Sequence, residues 1–269
     1  MLNLSGKVAI VTGASSGIGR AIAICFARHG VRVVLAARNI DNLQAVAAEI
    51  GSDSDTLIIP TDVTIANDCK NLIDKTIEHF GSIDIIVCNA GISMHANFDK
   101  LDIDVIHRVI DVNFFGVVRC VRYAIPYLLD SKGTVVSINS IAGYLGLPGR
   151  SGYSASKFAL RGFFETLRTE YINSGLNVCM VSPSFTTSNI RIHALTADGS
   201  EQNASPRNEK SMMTAEHVAA VVYKAVVHKK SEVILSFWQG RFPVWLHKRF
   251  PRLTNYLVYK FMSKEKKIK

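Results

Sequence analysis

Three side chains that can take part in acid–base chemistry lie close together near the middle of the chain. They are Ser140, Tyr153 and Lys157. A phenol has a pKa of about 10, but a lysine ammonium one helical turn away favours the phenolate and is expected to lower that pKa. Tyr153 could then give a proton to a carbonyl oxygen or take one from an alcohol. The Ser140 hydroxyl could hold the same oxygen by a hydrogen bond.

The segments around these residues predict how they are positioned. Residues 133–139, GTVVSIN, are β-branched and apolar and indicate a buried parallel strand, so Ser140 follows the carboxyl end of a strand. The run YSASKFALRGFFETLRTEY has helical spacing, which places Tyr153 and Lys157 on one helix face. Ligands of open α/β sheets bind outside the carboxyl ends of the strands. Because Tyr-x-x-x-Lys is also common on surface helices, the pair alone does not indicate a catalytic site, and the other motifs of the chain are needed to support one.

A glycine-rich motif, Thr12-Gly13-x-x-x-Gly17-x-Gly19, follows the first predicted strand at residues 7–12. Gly13 would allow a tight turn, Gly17 would let the backbone approach a pyrophosphate, and Gly19 would let the next helix pack closely on the strand. The amino terminus of that helix would face the phosphates. Its position directly after a strand predicts a dinucleotide site rather than a purely structural turn.

The residue after the second predicted strand, 31–36, bears on the type of dinucleotide. An acidic residue about 20 positions after the glycines would bind a ribose 2′-hydroxyl. The chain has Ala37 and Arg38 at this point. An available guanidinium without a carboxylate fits a 2′-phosphate, so we predict NADP(H), with a solvated surface arginine as the alternative.

Strands and helices alternate along the chain. Further strands are predicted at 56–60, 83–88, 176–181 and 233–237, and helices at 41–50, 65–80, 102–129 and 214–228. This order predicts right-handed βαβ units, and hence an α/β fold with a single Rossmann-type, doubly wound parallel sheet of about seven strands and helices on both faces. We expect residues 1–237 to form one dinucleotide-binding catalytic domain and residues 238–269 to be a basic amphipathic extension of it.

Composition narrows the function classes. The five cysteines are scattered, with neither C-x-x-C nor a Cys/His cluster, so we predict free thiols in a reducing compartment and no metal site. No signal peptide is recognisable, and no run of about 18 uncharged apolar residues predicts a spanning helix. The expected location is cytoplasmic, with peripheral contact to the inner membrane surface as a further possibility.

Two variable segments are expected to shape the substrate site. Residues 190–213 are polar and turn-rich and predict a mobile lid with a helical start at 190–195, or else an ordinary surface loop. Residues 229–269 contain eleven Lys and Arg but two Asp and Glu, and therefore carry the whole net charge of +9. No nucleic-acid-binding motif accompanies this basic run.

The tail itself allows three interpretations. Leu246, Phe250, Leu253 and Leu257 recur at helical spacing, and Pro251 is expected to divide the segment into two helices. Such a segment could lie on an anionic membrane, with the Trp side chains at the interface, pack on a second subunit, or form a wall of the substrate pocket.

Together these motifs resemble the short-chain dehydrogenase/reductase family over residues 5–235. They read TGASSGIG at 12–19, Asp-Val at 62–63, Cys-Asn-Ala-Gly at 88–91, Asn at 113, Ser at 140 and YSASK at 153–157. The resemblance implies that Tyr153 is the proton donor, that Lys157 lowers its pKa and binds the nicotinamide ribose, that Ser140 positions the substrate, and that Asn113 supports a water-linked proton relay.

The resemblance also implies the cofactor site. Its residues are Gly13, Ser15, Ser16, Gly17, Ile18, Gly19, Arg38, Asp62, Val63, Asn89, Ala90, Gly91, Tyr153, Lys157, Pro183 and Thr186. The chain departs from the family in having Ser184 where Gly usually follows Pro, which leaves the nicotinamide contact open between Thr186, Thr187 and Ser188.

The chain looks most like the NADP-preferring branch that contains 3-ketodihydrosphingosine reductases and membrane-associated steroid or lipid reductases. We therefore expect a homodimer or homotetramer that transfers a hydride between NADP(H) and the carbonyl or alcohol of an apolar keto lipid or steroid-like substrate. The alternative is a catalytically silent NADP(H) sensor on the same fold.

Overall fold

The computed structural model describes residues 2–51, 56–205 and 212–263. Within these ranges one sheet contains seven strands, in the order β3-β2-β1-β4-β5-β6-β7, and every neighbouring pair is parallel. The strands are β1 Val8–Thr12, β2 Arg32–Ala37, β3 Thr56–Pro60, β4 Ile85–Cys88, β5 Thr134–Ile138, β6 Asn177–Ser182 and β7 Glu232–Ile234. The predicted fold class is confirmed, and the strand bounds differ from the predicted ones by at most three residues.

Helices cover both faces of the sheet. They are α1 Gly17–Arg28, α2 Ile40–Ile50, α3 Ala66–Phe80, α4 Ile103–Ile110, α5 Gly116–Asp130, α6 Ser151–Glu170, α7 Ala215–Val227, α8 Phe242–Arg249 and α9 Pro251–Met262. Buried side chains of α1, α2 and α7 form the core on one face, and those of α3, α5 and α6 form it on the other. Because both faces are covered, the strands need apolar residues without polar alternation, which explains their Val- and Ile-rich sequences.

The long helix predicted at 102–129 is interrupted. A π-helical turn, Asp111–Phe115, separates α4 from α5 and contains Asn113. Such turns insert one extra residue into the helical repeat and occur often at functional sites. Apolar spacing did not reveal the interruption, because the flanking helices keep their buried faces on either side of it.

By length and composition alone, the helical stretch Ile103–Asp130 could cross a membrane, although no spanning segment is predicted from the sequence. Val117, Val121 and Leu128 of this stretch are buried in the core beneath the sheet. Arg119 within it forms an ion pair with Asp111, at 2.7 Å. Packing against the sheet therefore accounts for its apolar residues.

The predicted helical start of the lid, 190–195, is wrong. The backbone there forms hydrogen-bonded turns, with His193 N donating to Asn189 O, and Leu195 pairs with the segment after β4 through Ser93 O and His95 N. Leu195 is buried against that segment and α4, so long-range pairing overrides the local helical tendency. The lid prediction at 206–211 lies outside the described residues.

The tail divides at Pro251 into α8 and α9, as predicted. The predicted apolar stripe, however, is for the most part not buried. Phe250, Leu253 and Leu257 are exposed, whereas α9 buries Thr254 and Met262. Helical spacing identifies a stripe but not the side on which the body of the protein lies. The last six tail residues, 264–269, lie outside the described part of the chain.

Candidate active site

The ends of two central strands are tied together where the strand order reverses, between β1 and β4. Asn89 Nδ2 donates to Thr12 O at 3.0 Å, and the Thr12 hydroxyl accepts from the backbone N–H groups of Asn89 and Ala90 at 3.0 and 3.1 Å. The same hydroxyl donates to Val87 O at 3.3 Å. A reversal point of this kind is where α/β sheets bind dinucleotides.

The glycine-rich turn lies directly beside this junction. Gly13 has a φ of +65°, a conformation that favours glycine. Gly19 faces the turn so closely that a Cβ on it would lie 2.2 Å from Gly13 O. At the start of α1, the Ser16 side chain makes no capping hydrogen bond and the first turn contains no acidic residue. The helix amino terminus therefore keeps the positive character that a phosphate group needs.

Replacing Gly19 by alanine should damage this turn. The added methyl group would meet backbone that can yield only if α1 moves, so we expect a loss of about 1–3 kcal/mol in the free energy of unfolding and weaker dinucleotide binding. Urea denaturation and NADPH fluorescence titration measure the two effects. Gly162→Ala in α6 is the matched control, because nothing lies within 4 Å of its Cβ position. Equal effects of the two substitutions would contradict the close-packing interpretation.

One cavity of about 1090 Å³ extends from this turn across the carboxyl ends of the strands. Most of the predicted cofactor residues line it, namely Gly13, Ser15, Ser16, Gly17, Ile18, Arg38, Asp62, Val63, Asn89, Ala90, Gly91, Tyr153, Lys157, Pro183 and Thr186. Gly19 lies behind the wall, in contact with the turn. The cavity therefore brings together residues that are scattered over most of the chain.

Arg38 lies at the carboxyl end of β2, where the cavity begins. It is exposed, and it has no hydrogen bond or ion pair with any residue in the described ranges. The next residue, Asn39, is used to cap α2, since its Oδ1 accepts from Asn42 N at 2.9 Å. Asp62, at the end of β3, accepts from the backbone and hydroxyl of Thr64 at 2.9 and 2.7 Å. The cavity wall thus includes an uncommitted guanidinium and a carboxylate that orders its own turn.

These features fit a nicotinamide dinucleotide. The turn and uncapped helix end could hold the pyrophosphate, Arg38 a 2′-phosphate, and Asp62 the adenine side of the rim. The Gly13 φ and the tight Gly19 contact are both costly features that such a turn requires.

The other half of the cavity contains the predicted catalytic side chains. Tyr153 lies in the first turn of α6, and its hydroxyl is close enough to that of Ser140, two residues after β5, for hydrogen bonding to lower the Tyr153 pKa. Lys157 is buried one turn further along and donates to Ile138 O at 2.9 Å. Its Nζ lies 5.7 Å from the centre of the Tyr153 ring. Hydroxyl, phenol and ammonium therefore converge as the spacing predicts.

The pKa of Tyr153 moves in the opposite direction to the one expected from the sequence. Burial raises this pKa, while the Ser140 hydrogen bond and the charges of Arg150 and Arg191 lower it by less. The charge of Lys157 is not among the causes of the Tyr153 shift. Burial has the opposite effect on Lys157, because it disfavours the ammonium form and lowers the pKa of Lys157 to about 8. The sequence shows the spacing of the pair but not its depth, and at this depth desolvation is the largest contribution.

Asn113 lies behind the cavity wall and is 1% exposed. Its Oδ1 accepts from Ile92 N at 2.8 Å, and its Nδ2 donates to Ile92 O at 2.9 Å and to Ser156 Oγ at 3.0 Å. Its side chain therefore joins the π-helical turn to the segment after β4 and to α6. These hydrogen bonds show that Asn113 holds the segments around the site together. The part in a water-linked proton relay, which the family resemblance implies for Asn113, stays a prediction.

The comparisons with known proteins agree with this architecture. Residues 7–198 match the family model described as "short chain dehydrogenase". The chain belongs to the short-chain dehydrogenase/reductase family. A Dictyostelium discoideum protein named "Dehydrogenase/reductase SDR family protein 7-like" is 37% identical over 265 residues, covering 96% of this chain and 82% of that protein. An Arabidopsis thaliana protein named "11-beta-hydroxysteroid dehydrogenase-like 2" is 43% identical over 187 residues, covering 68% and 60%.

Solved structures give the same result for the fold. A Burkholderia phymatum short-chain dehydrogenase/reductase in complex with NAD superposes with a TM-score of 0.78 at 26% identity, over 87% of this chain and 90% of that one. A Thermococcus sibiricus alcohol dehydrogenase complexed with 5-hydroxy-NADP has a TM-score of 0.75 at 26% identity, over 85% and 95%. These relatives place the chain among enzymes that bind nicotinamide cofactors. The resemblance to steroid and lipid reductases stated from the motifs is also confirmed.

Ser156 is a site residue of this short-chain dehydrogenase/reductase that the sequence did not single out. Its hydroxyl accepts from Asn113 Nδ2 and donates to Tyr153 O at 2.7 Å, in a fully buried position. It therefore connects the support behind the cavity to the turn that carries Tyr153. Its place inside the YSASK run, three residues after Tyr153, was the available signal.

Ser156→Ala should weaken this connection. One N–H of Asn113 would lose its acceptor in a buried site, which costs about 1–3 kcal/mol of unfolding free energy. We also expect kcat to fall while the NADPH dissociation constant changes little, because Ser156 itself does not line the cavity. Ser154→Ala is the control, since the Ser154 hydroxyl accepts a longer hydrogen bond, from Leu147 N at 3.3 Å. Equal losses of stability and kcat in both variants would argue against a specific role for Ser156.

Two arginines also line the cavity without having been predicted. Arg150 is buried, and Arg191 donates to Thr186 O at 2.7 Å. Both charges act on Tyr153. Arg191 lies in the lid segment, and Arg150 lies at the start of α6, so neither belongs to a periodic pattern that would draw attention to it.

The open question about the residue that contacts the nicotinamide is narrowed by the cavity wall. Thr186 and Ser188 line the cavity, whereas Thr187 does not. Thr186 is buried and its hydroxyl donates to Ser184 O at 3.1 Å. Thr186 and Ser188 therefore both stay candidates for the nicotinamide contact, and the choice of Thr186 stays a prediction.

The tail forms the far wall of the same cavity. Its lining side chains are those of Trp238, Gln239, Phe242, Pro243, Leu246, Thr254, Leu257, Val258, Phe261 and Met262. Of the three interpretations of the tail, the structure therefore shows directly that it forms a wall of the pocket.

Proposed function

We propose that the protein is an NADP(H)-dependent carbonyl reductase for a large apolar substrate, such as a keto lipid or a steroid-like ketone. One observation carries the proposal. A single cavity holds the phosphate-binding turn at one end, Tyr153 with Ser140 and Lys157 in the middle, and the apolar wall of α8 and α9 at the other end. A dinucleotide and a sizeable apolar ketone could therefore meet at Tyr153.

The side chains supply acid catalysis and orientation. A nicotinamide cofactor, when bound, supplies the hydride. Burial raises the pKa of Tyr153, so the phenol stays protonated at neutral pH, which is the form that a proton donor to the carbonyl oxygen needs. Ser140 can hold that oxygen by a hydrogen bond. Lys157, whose pKa is about 8, is mostly charged at pH 7 and can stabilise the phenolate that remains. The same groups in reverse would serve alcohol oxidation.

Arg38 supports the choice of NADP(H) over NAD(H). Its guanidinium is exposed on the cavity rim and is not committed to another group in the described ranges. The two solved relatives bind NAD in one case and a modified NADP in the other, so the family alone does not decide. A bidentate donor at the end of β2 is the feature of this chain that favours a 2′-phosphate.

The substrate class is supported by the pocket wall and by the plant relative named as a hydroxysteroid dehydrogenase. We further propose a homodimer or homotetramer in the cytoplasm. All five cysteines are free, and four of them are buried, which suits a reducing compartment.

A series of methyl ketones of increasing chain length tests this proposal. With NADPH in excess, kcat/KM should rise about fourfold per added methylene until the apolar wall is covered, because each buried methylene contributes about 0.8 kcal/mol. NADPH consumption at 340 nm reports the rate. Leu246→Ser, on the apolar wall, should flatten the series, and Leu2→Ser, at an exposed site that does not line the cavity, should not. NADPH binding without oxidation by any ketone would instead support the silent sensor.

A further inference from the structure

The helix α9 presents most of its large apolar side chains to the outside. It buries only two side chains, Thr254 and Met262, with Val258 half-buried between them on the same stripe. Tyr256 and Tyr259 are 61% and 63% exposed. Of the α9 rings, Phe261 contacts the Phe185 ring, with centres 6.0 Å apart. A helix that docked only to cover the cavity would place its rings inward, whereas the Tyr256 and Tyr259 rings face outward.

The segment before α9 continues this apolar exposure. Trp238 is 74% exposed and Trp245 is 53% exposed. Their rings are linked through Phe242, with centres 5.8 and 6.1 Å apart. The aromatic surface, as we call it, consists of Phe237, Trp238, Trp245, Phe250, Leu253, Tyr256, Leu257, Tyr259 and Phe261. An exposed apolar surface of this extent is typical of a site that binds a protein or a membrane.

Charge distinguishes these two partners. Residues 237–263 contain five Lys and Arg but no Asp or Glu. All five basic side chains are exposed, and they are Arg241, Lys248, Arg249, Arg252 and Lys260. A second copy of the chain placed on this surface would bring like charges together. An anionic lipid headgroup layer would instead neutralise them, while Trp and Tyr rings prefer the interface region of a bilayer.

We propose that the aromatic surface docks on an anionic lipid bilayer and that the apolar substrate enters the cavity from the lipid. Trp238, Leu257 and Phe261 carry the second half of this proposal, because each is both exposed on the surface and part of the cavity wall. A path from bilayer to Tyr153 would then spare an apolar ketone the passage through water. The first half of the proposal, docking on the bilayer, depends only on the aromatic surface. The second half, entry of the substrate from the lipid, rests on the proposed reductase function.

Vesicle co-sedimentation of the full chain tests the docking half. We expect binding to vesicles of phosphatidylglycerol and phosphatidylcholine in equal parts, and little binding to phosphatidylcholine alone. Arg249→Gln with Arg252→Gln should lower the partition coefficient about 30-fold, since each basic residue near the surface contributes about 1 kcal/mol. The matched control is Lys75→Gln, an exposed lysine of α3, which should bind as the unchanged chain does.

A second variant removes apolar groups without touching the cavity. Trp245→Ser, Leu253→Ser and Tyr256→Ser are combined, because none of the three lines the cavity. We expect this variant to lose vesicle binding while circular dichroism and NADPH binding stay unchanged. Ile172→Ser, at a residue 74% exposed after α6, is the control for loss of an exposed apolar side chain. Absence of vesicle binding by the unchanged chain at low salt would overturn the docking proposal. The docking proposal would also be overturned if the triple variant still bound vesicles but converted a dimer of the unchanged chain to a monomer.

Two ketones separate the entry half from the reductase function. A long-chain methyl ketone is supplied within the anionic vesicles, and a short water-soluble one is supplied in buffer. The triple variant should reduce the short ketone normally and the vesicle-borne ketone at least tenfold more slowly. Equal rates of vesicle-borne reduction would overturn entry from the lipid. Reduction of neither ketone by the unchanged chain, with vesicle binding intact, would overturn the reductase function and the entry half but leave docking supported.

Discussion

Tyr153→Phe should reduce kcat for ketone reduction about 10³-fold while leaving NADPH binding close to that of the unchanged chain. The variant keeps the ring, which fills its place against α4 and the lid, and removes only the hydroxyl that faces Ser140. Without that proton donor, the alkoxide that forms on hydride transfer has only Ser140 to stabilise it. Single-turnover NADPH oxidation separates the chemical step from cofactor binding, which fluorescence titration measures independently.

Tyr171→Phe is the matched control for this substitution. Tyr171 follows the last turn of the same helix and does not line the cavity. Its loss of a hydroxyl should leave kcat within about twofold, since substitutions away from functional features are usually small in effect. If Tyr153→Phe turned over ketone at the normal rate, Tyr153 would not be the acid, and Ser140 or a water would have to supply the proton.

The central architecture was predictable because it depends on local signals that agree with one another. Val- and Ile-rich strands alternate with helical spacing, and each chemical motif follows a strand, so that topology alone brings Gly13, Ser140 and Tyr153 to one edge of the sheet. Tyr153 and Lys157 were found by spacing within one helix. No three-dimensional information was required for either step.

The features that escaped prediction all depend on contacts between distant segments. Ser156 matters because Asn113, far away in sequence, points an amide at it. The pKa of Tyr153 depends on how deeply the lid and α4 bury it, and this depth is not encoded in the spacing to Lys157. The lid start at 190–195 is a turn because Leu195 pairs with the segment after β4. Burial and partner identity are tertiary quantities, which a local pattern does not contain.

The tail shows the same limit in another form. Its two helices and their division at Pro251 follow from spacing and proline chemistry. The side of α9 that faces the protein is decided instead by the shape of the cavity that it covers. Leu253 and Leu257, which helical spacing would assign to a core, are therefore exposed. From the sequence, the apolar stripe among basic residues could equally have contacted a membrane, a second subunit or the substrate pocket, and spacing alone did not decide between them.

Arg38→Asp should reverse the cofactor preference, changing the ratio of NADPH to NADH affinity about 10³-fold. Loss of two charge-assisted hydrogen bonds to a 2′-phosphate removes about 3–6 kcal/mol, and the new carboxylate repels the phosphate while it can accept from a 2′-hydroxyl. Because Arg38 has no partner in the described ranges and α2 is capped by Asn39, the substitution should leave the free energy of unfolding nearly unchanged. Fluorescence titration with each cofactor measures the ratio directly.

Arg28→Asp provides the control, since it makes the same charge reversal at an exposed site at the end of α1, outside the cavity. It should weaken NADPH binding slightly more than NADH binding, because NADPH carries the additional 2′-phosphate charge, but by no more than a general field effect. Raising the salt concentration should narrow both the NADPH preference of the unchanged chain and the NADH preference of Arg38→Asp, because salt screens the attraction of the 2′-phosphate to Arg38 and its repulsion by the new carboxylate. If both cofactors bind equally well before and after the Arg38 substitution, this arginine is a solvated bystander. The reductive direction would then have to be established from the reaction itself, since Arg38 is the residue of this chain that favours NADPH as the cofactor.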